Sequence, residues 1–513
     1  MSIEIIKENF QVEEIRGSSE IQSLVETEIY LNTNKPDIEN IIWVDGRVEI
    51  LNTKIIKDKL LVNGLIKFNI VYKTIEEENN INTIEANKDF KEEILIEGIK
   101  EDMMSSIKAN IEYIEYEIGE NKIELKTVIN IFGEVEENRT LEIIKEIKGK
   151  EDLQTLKENI KYKQIYGRET SYANINETLE LDDSKPSIEK VIKFSVESKE
   201  LESAVVEDRI IVSGEAVVTM IYLGDNKINS IKEEIPFNHF IEIPGVRRDS
   251  KGEVKLEVVE GIYEVSEDDL GDLKIIDLEI KIKVYGKAYD EVSRDLIIDA
   301  YSTKDKIDLK IEDINIRENI EDIVYEENIA VDVEIDALEI LEIQQYNNIL
   351  DKRYLDDELI IEGILGLNIY YIDRISGEIA NFNGHFPYKS TVPFNWRYSN
   401  IIIDVGTKLG DINYILKKDI MSVETNITHN IALSKDRKIQ GIVNIEETGE
   451  TIDKKDMASI TIYIAQKGDI LWDIAKRYNT TIDEILSSNN LDTGYEIDVG
   501  DKIIIEKKVD LDF

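Results

Sequence analysis

The stretch LLVNGLIKFNIVYKT, residues 60–74, alternates apolar and polar side chains around a single glycine, Gly64. The chain repeats this pattern as IIVSGEAVVTMIYLG and again as LIIEGILGLNIYYID. In each copy a tyrosine follows the glycine by eight residues, and these tyrosines are Tyr72, Tyr222 and Tyr371. An even spacing places both residues on one face of a β-strand, because strand side chains alternate. The stretch therefore predicts a recurring, half-buried strand in which the glycine and tyrosine have structural roles.

Further landmarks recur around this strand. KPDIENII at 35–42 returns as KPSIEKVI at 185–192, and a later turn repeats its glycine as Gly98, Gly245 and Gly406. A copy of about 150 residues is long enough to enclose its own core. Short runs rich in Ile, Val and Tyr that end at Gly or Asn are typical of antiparallel strands. We therefore predict three repeated antiparallel β-sandwich or open-barrel domains, over residues 1–150, 151–305 and 306–450, of which the third is the most divergent.

The C-terminal segment differs from everything that precedes it. ITIYIAQKGDILWDIAKRYNTTIDEILSSNN at 460–490 is a strand pattern, a Gly-Asp turn and two short helical patterns, and another strand pattern follows. We expect Asp469 to cap the first helix. Thr481 and Glu484 have the spacing of a capping box at the start of the second helix. The segment predicts a small βααβ domain over residues 460–509.

This segment resembles the LysM domain, a family of glycan-binding modules. The resemblance rests on Tyr463, Gly468, Asp469, Leu471, Trp472, Ile474, Ala475, Asn490, Leu491, Ile497 and the run from Gly500 to Ile503. It implies a shallow glycan groove lined by Gly468, Asp469, Ile470, Leu471, Asn489, Asn490 and Leu491. The family commonly has threonine where this chain has Ile464 and Ile470.

These departures favour a protein partner over a glycan. If Tyr463 and Ala465 face the core of the module, Ile462 and Ile464 face outward, because strand side chains alternate. Trp472 lies off the apolar stripe of its helix, and contiguous exposed apolar surface usually marks a protein contact. The residues expected to bind a partner are Ile462, Ile464, Ile470, Trp472 and Lys476. The alternative is that Trp472 packs against its own domain or a neighbouring one.

The chain as a whole resembles the SipL family of clostridial spore-morphogenesis proteins, in which repeated SPOCS domains precede a LysM domain. The resemblance implies a non-catalytic adaptor in the mother-cell cytoplasm, located at the forespore surface. Its implied partner is the spore-coat basement ATPase SpoIVA, which the LysM domain contacts. The alternative function is binding of peptidoglycan, an N-acetylglucosamine glycan, in the cell wall or spore cortex. A cell-wall hydrolase is disfavoured because no catalytic signature precedes the module.

Composition narrows the partners further. Asp and Glu number 108 against 62 Lys and Arg, and the net charge of -46 repels nucleic acid and anionic membranes. The chain contains no cysteine, and its first residues, MSIEIIKENF, lack the apolar core of a signal peptide. We therefore expect a soluble intracellular protein that neither binds nucleic acid nor inserts into a membrane.

The sequence shows no pattern of catalytic or metal-binding residues. His239, His385 and His429 lie in separate contexts without metal-ligand spacing. The acidic run SEDDLGD at 266–272 lacks the spacing of a calcium loop, and no glycine-rich nucleotide motif occurs. We predict no enzyme activity, no metal and no cofactor.

An aromatic cluster, NFNGHFPYKSTVPFNWRYSN at 381–400, is predicted as a long loop. Aromatic side chains at this density either anchor a partner or pack a loop onto its own sheet. We favour packing onto the sheet.

Overall fold

The computed structural model describes residues 3–31, 38–74, 81–119, 121–355, 357–394, 401–454 and 458–506. These residues form antiparallel β-sheets and two short helices, and both helices lie near the C-terminus. The predicted mainly-β fold class is therefore confirmed. Within the described ranges, no helix is long and apolar enough to cross a membrane.

The first repeat is a sandwich of two three-stranded sheets, ordered β1-β6-β5 and β2-β3-β4. Its strands are β1 (Glu4–Tyr30), β2 (Ile38–Ile56), β3 (Lys59–Thr74), β4 (Ile81–Leu95), β5 (Met104–Gly119) and β6 (Lys122–Lys148). Alternate residues of β3 and β6 face each other in one core, which includes Leu60, Ile66, Ile123 and Ile129. The alternation that the sequence shows is thus the two-residue period of half-buried strands.

The second repeat has the same arrangement, with sheets β7-β12-β11 and β8-β9-β10. Its strands are β7 (Leu153–Glu180), β8 (Lys190–Val206), β9 (Arg209–Gly224), β10 (Lys227–Glu242), β11 (Lys251–Glu267) and β12 (Leu273–Ser302). Both repeats therefore begin and end with an unusually long strand, and these two strands pair with each other.

The third repeat keeps this plan but divides one edge strand in two. Its strands are β13 (Asp305–Val333), β14 (Ala337–Leu355), β15 (Glu358–Asp373), β16 (Ile379–Pro393), β17 (Ile402–Leu409), β18 (Asn413–Lys417) and β19 (Ile420–Thr451). One sheet is β14-β15-β16, and in the other β19 pairs with β13, β17 and β18. We propose that these three strand sets are the three domains that the sequence predicts.

The repeated glycine makes room for an aromatic ring on the neighbouring strand. Gly64 lies opposite Phe90, Gly214 lies opposite Phe237, and Gly363 lies opposite Tyr388. A Cβ atom on Gly214 would lie 2.7 Å from the Cζ atom of Phe237, which is closer than side chains pack. The glycine therefore permits the close approach of a cross-strand ring.

The repeated tyrosine is less uniform than the glycine. Tyr72 and Tyr222 are fully buried, whereas Tyr371 is half-buried and its neighbour Tyr370 is fully buried. The third repeat has thus moved its most deeply buried tyrosine by one position, onto the opposite face of the strand.

The prediction that Gly406 occupies the third equivalent turn is wrong. Gly98 and Gly245 have positive φ angles of 85° and 86° in matching turns, whereas Gly406 lies inside β17. In the third repeat, the residue that corresponds to Ile96 and Ile243 is Phe394, whose N–H donates to the carbonyl of Asp357 at 3.1 Å. The next residues, 395–400, lie outside the described part of the chain.

The prediction of a long aromatic loop is also wrong for residues 381–393, which belong to β16. Phe382, Phe386 and Tyr388 pack against the core of the third repeat. They occupy even-numbered positions, and this two-residue period is the signal that indicates a strand. Trp396 and Tyr398 lie outside the described residues.

The three repeats meet along the ends of their long strands. A shared core contains Phe10, Val12, Ile160, Tyr162, Ile314 and Ile316, so that each repeat contributes one pair from its first strand. An arginine of each repeat also contacts a glutamate of the repeat that precedes it in cyclic order. Arg139 lies 3.7 Å from Glu312 and Arg294 lies 3.4 Å from Glu8, while Arg437 pairs with Glu158. These contacts run in cyclic order, and the repeats therefore form one body with approximate threefold symmetry.

A second junction buries charge between the repeats. Lys193 is 5% exposed, and its Nζ lies 2.8 Å from Asp45 Oδ2 and 3.1 Å from Glu342 Oε2. Tyr370 donates its hydroxyl proton to Asp45 at 2.6 Å and packs edge-on against Trp43. We call Trp43, Asp45, Lys193, Glu342 and Tyr370 the Lys193 cluster. A buried charge is tolerated when it is paired and hydrogen-bonded in this way.

The C-terminal module has the predicted order of strand, helix, helix and strand. Its elements are β20 (Ile460–Ile464), α1 (Leu471–Arg477), α2 (Ile482–Asn489) and β21 (Lys502–Glu506). The predicted capping box is present, because the Thr481 hydroxyl accepts the N–H of Glu484 and the Glu484 carboxylate accepts the N–H of Thr481.

Candidate binding surface of the C-terminal module

The outer face of the β20–β21 sheet is apolar and exposed. Ile462 lies opposite Ile504 and Ile464 lies opposite Lys502 across the two strands. Ile462 is 63% exposed and Ile464 is 58% exposed, whereas Ala465 is buried. The predicted outward orientation of these two isoleucines is confirmed. Their binding role stays a prediction.

Ile470 is also exposed, and it occupies the N-cap position of α1 without a side-chain cap. The prediction that Asp469 caps this helix is wrong. The Asp469 carboxylate instead accepts the N–H of Gln466 at 2.8 Å and the hydroxyl of Tyr463 at 2.7 Å. These two hydrogen bonds lower the pKa of Asp469. Asp469 therefore stabilises the turn before the helix.

Trp472 is buried, and the prediction that it contributes to an exposed patch is wrong. Its side chain is 5% exposed, because it packs against β12 of the second repeat. The indole Nε1–H donates to Asp299 Oδ2 at 2.8 Å. The ring lies edge-on to Tyr301, with 4.9 Å between the ring centroids. The alternative reading, in which Trp472 packs against a neighbouring domain, describes the structure.

Lys476 takes part in the same contact. Its Nζ lies 2.6 Å and 2.8 Å from the two carboxylate oxygens of Asp299. The hydroxyl of Tyr301 donates to the carbonyl of Thr480 at 2.7 Å, and burial raises the pKa of Tyr301. We call Asp299, Tyr301, Trp472, Lys476 and Thr480 the Asp299 joint. The joint covers one face of α1, and the surface expected to bind a partner is thereby reduced to Ile462, Ile464 and Ile470.

Some residues of the groove implied by the LysM resemblance make contacts within the module itself. The Asn489 side chain donates to the carbonyls of Ile485 and Ile504 and accepts the N–H of Ile504, each at 2.7 Å. Asn490 has a left-handed backbone, and Leu491 packs against the core of the module. Gly468 is exposed, with a φ angle of 95°. A glycan-binding role for Gly468 to Leu471 and Asn489 to Leu491 stays a prediction.

Sequence reasoning missed Asp299 and Tyr301. They lie in the run LIIDAYS of the second repeat, which reads as an ordinary strand. The aspartate between apolar residues stands out in this run, but the sequence does not show which residue it contacts. Trp472, which bonds Asp299, lies 173 residues beyond it in the sequence.

The three histidines have separate polar neighbours. His239 lies 2.8 Å from the Ser171 hydroxyl, His385 lies 2.9 Å from the Tyr346 hydroxyl, and His429 lies 3.0 Å from the Ser390 hydroxyl. Burial lowers the pKa of His239 and of His429. In the acidic run at 266–272, Asp268 accepts the N–H groups of Leu270 and Asp272. Across the described residues, no group of His, Asp and Glu is arranged to hold a metal ion.

Fold and site together define a class of protein in which repeated β-sandwiches carry a small βααβ module. Family comparison makes the class specific. The SPOCS domain of SipL matches residues 37–119 and 187–265, and the LysM domain matches residues 463–506. No significant match was found among curated proteins or solved structures. The predicted resemblance to SipL, in two SPOCS segments and a C-terminal LysM domain, is confirmed. Both are binding domains, and their combination fits a sporulation-related protein.

Proposed function

We propose that this chain is a non-catalytic scaffold of spore-coat assembly. Its LysM domain binds the coat basement ATPase SpoIVA, and the chain acts in the mother-cell cytoplasm at the forespore surface. One observation carries the proposal. The LysM domain exposes Ile462 and Ile464 side by side on the outer face of its sheet, although Trp472 of the same domain is fully covered.

The chemistry of this face supports a protein partner. Burying a side chain of this size in an interface contributes about 1.5 to 3 kcal/mol. A sugar offers many hydroxyl groups, and aliphatic side chains cannot hydrogen-bond to them. Ile464 stands where the LysM family commonly has threonine, so the change removes a hydroxyl and adds apolar area. These features favour another polypeptide over a glycan.

The three β-repeats support a scaffold role. Their shared core and cyclic ion pairs join them into one body, and the Asp299 joint holds the LysM domain against the second repeat. The scaffold therefore presents the outer isoleucines at a defined place. The large negative charge makes separate copies repel one another, which opposes their association.

Binding of SpoIVA to an Ile464→Glu variant tests the proposal. The introduced carboxylate lies opposite Lys502, so we expect the sheet to remain folded. Calorimetry of the full chain with SpoIVA should show at least about a tenfold loss of affinity, because about 1.4 kcal/mol or more of apolar burial is lost. Circular dichroism should be unchanged.

Val499→Glu is the matched control. Val499 is 70% exposed in the same domain but lies in the turn before β21, outside the sheet face. It should bind SpoIVA as the unaltered chain does. Equal affinities for the Ile464→Glu variant and the unaltered chain would refute the proposed surface.

Peptidoglycan binding is the second candidate function, and the LysM match favours it. Titration with N-acetylglucosamine oligomers should then release or absorb measurable heat. This heat should persist in the Ile464→Glu variant, because Ile464 lies outside the loops of the implied groove. An absence of heat at saturating oligomer would remove this candidate.

A further inference from the structure

The sheet of the LysM domain has two edges, and its hydrogen bonds show where each backbone group points. The N–H of Ala465 donates to Asp501 at 2.9 Å, and the N–H of Gly500 donates to Ala465 at 2.8 Å. In an antiparallel pair, successive residues point alternately toward and away from the neighbouring strand. Tyr463 therefore points its backbone groups at β21. Ile462 and Ile464 point theirs away from β21.

The edge on the β21 side is closed by a side chain. Ile504 lies opposite Ile462, and its N–H and C=O point away from β20. The amide of Asn489 bonds both of these groups, at 2.7 Å each. The side chain thus takes the place of a third strand on this side.

The edge on the β20 side is open. Over the described residues, the backbone N–H and C=O groups of Ile462 and Ile464 form no hydrogen bond. The side chains of the same two residues are exposed on the adjoining face. An extended segment beside β20 would satisfy these backbone groups and place alternate side chains next to the isoleucines.

We propose that this open edge of β20 accepts an extended segment of the protein partner as a third strand, with apolar residues at alternate positions. The inference rests on the proposed function and specifies how that surface binds. A second copy of the chain is a poor occupant, because each copy carries a net charge of -46 and the two would repel. The added strand therefore belongs to a less acidic protein.

Two substitutions at one position separate backbone pairing from side-chain contact. Ile462→Ala shortens the side chain and keeps the N–H, whereas Ile462→Pro also removes the N–H that points to the open edge. Proline is tolerated at such edge positions. Calorimetry of each full-length variant with SpoIVA should show a further loss of about tenfold for the proline variant relative to the alanine variant. Circular dichroism and the thermal midpoint check that both are folded.

Hydrogen exchange on the unaltered chain gives a second readout that needs no variant. Binding of SpoIVA should slow amide exchange in the peptide that contains Ile462 and Ile464. Exchange should change little in a control peptide from β9 of the second repeat.

Each outcome has a distinct meaning. Equal losses for alanine and proline, with unchanged exchange, would overturn strand addition and leave the isoleucine surface in place. Full affinity in both variants would also count against the proposed surface. If the proline variant instead halves the mass of the free chain in sedimentation, the edge pairs two copies and the inference is wrong.

Discussion

Two clusters of the same four residue types join parts of this chain, and they differ in how completely they are enclosed. The Lys193 cluster brings together Trp43, Tyr370, Lys193 and Asp45, and the Asp299 joint brings together Trp472, Tyr301, Lys476 and Asp299. In both, the tryptophan and tyrosine rings meet edge-on, with centroids 4.9 Å apart. The lysine side chain is 5% exposed in the first cluster and 41% exposed in the second.

The hydrogen bonds differ as well. Lys193 donates a hydrogen bond to Asp45 of the first repeat and forms an ion pair with Glu342 of the third, without a hydrogen bond. Its ammonium group lies 3.6 Å from the centroid of the Tyr370 ring. Lys476 and Trp472 both bond one carboxylate, Asp299. A closed cluster between three repeats holds the body together. The more open Asp299 joint attaches one small domain through one carboxylate, Asp299, and one hydrogen bond from Tyr301 to Thr480, so it should break first.

The largest effect is expected for Lys193→Met. The substitution keeps most of the apolar volume but leaves the buried Glu342 and the partly buried Asp45 without a cation. Breaking a buried pair in this way costs about 3 to 5 kcal/mol. Urea denaturation of the full chain measures this loss in the free energy of unfolding. Lys199→Met is the control, because Lys199 pairs with Asp411 at the surface and should cost only about 0 to 1 kcal/mol. Equal effects of the two substitutions would contradict the comparison.

A smaller effect is expected for Trp472→Phe. The ring pair with Tyr301 is largely kept, but the hydrogen bond to the Asp299 carboxylate is lost. Such a bond to a charged group contributes about 1.5 to 3 kcal/mol. Unfolding of the LysM domain, followed by protease cleavage within that domain, should occur at a correspondingly lower urea concentration. The double variant with Asp299→Ala should be little less stable than either single variant, since both substitutions remove the same hydrogen bond. Full additivity would show that the two residues act separately.

Alkaline pH should loosen the joint. Burial raises the pKa of Tyr301, so above the ordinary tyrosine pKa of about 10 the unfolded state loses a proton that the folded state keeps. Stability therefore falls as pH rises, by about 1.4 kcal/mol per pH unit for this group. Urea midpoints should decline less with pH in Tyr301→Phe than in the unaltered chain. Equal slopes of the urea midpoint against pH in the two proteins would exclude Tyr301 as the cause.

Lys476→Met should have a weaker effect. Lys476 is half-exposed, and water screens its attraction to Asp299, so we expect about 0 to 1 kcal/mol. The contrast with Lys193→Met tests whether enclosure sets the strength of the two clusters. A loss as large as that of Lys193→Met would show that the joint is closed in solution.

The smallest effect on stability is expected for Ile464→Thr. Exposed substitutions of this kind usually change the free energy of unfolding by less than about 0.5 kcal/mol. Affinity for SpoIVA, the proposed partner, should nevertheless fall, since threonine offers less apolar area. A large loss of stability would show that Ile464 packs within the chain, and the proposed surface would have to be abandoned.

Much of the fold was predictable from local pattern. Alternation between Gly64 and Tyr72 indicates a half-buried strand wherever it occurs, and the capping box at Thr481 marks a helix start without reference to distant residues. The same rule placed Ile462 and Ile464 on the outside of β20. Each of these features depends on neighbours within a few residues, and for this reason the sequence reveals it.

The two main errors have different origins. The apolar pattern of α1 shows which face packs on its own domain. It does not show that another domain, the second repeat, covers the opposite face. Trp472 was therefore expected to be exposed. The density of aromatic residues at 381–393 favours a loop, whereas the two-residue period of the same run indicates the strand that forms.

Sequence alone determined the repeats, the strand-rich class, the LysM domain and the outward direction of its isoleucines, because periodicity and capping act within one element. Tertiary structure decided that Trp472 is covered and that Asn489 closes one sheet edge. It also decided that the three repeats share one core. These contacts join groups far apart in sequence, and their geometry exists only after the chain has folded.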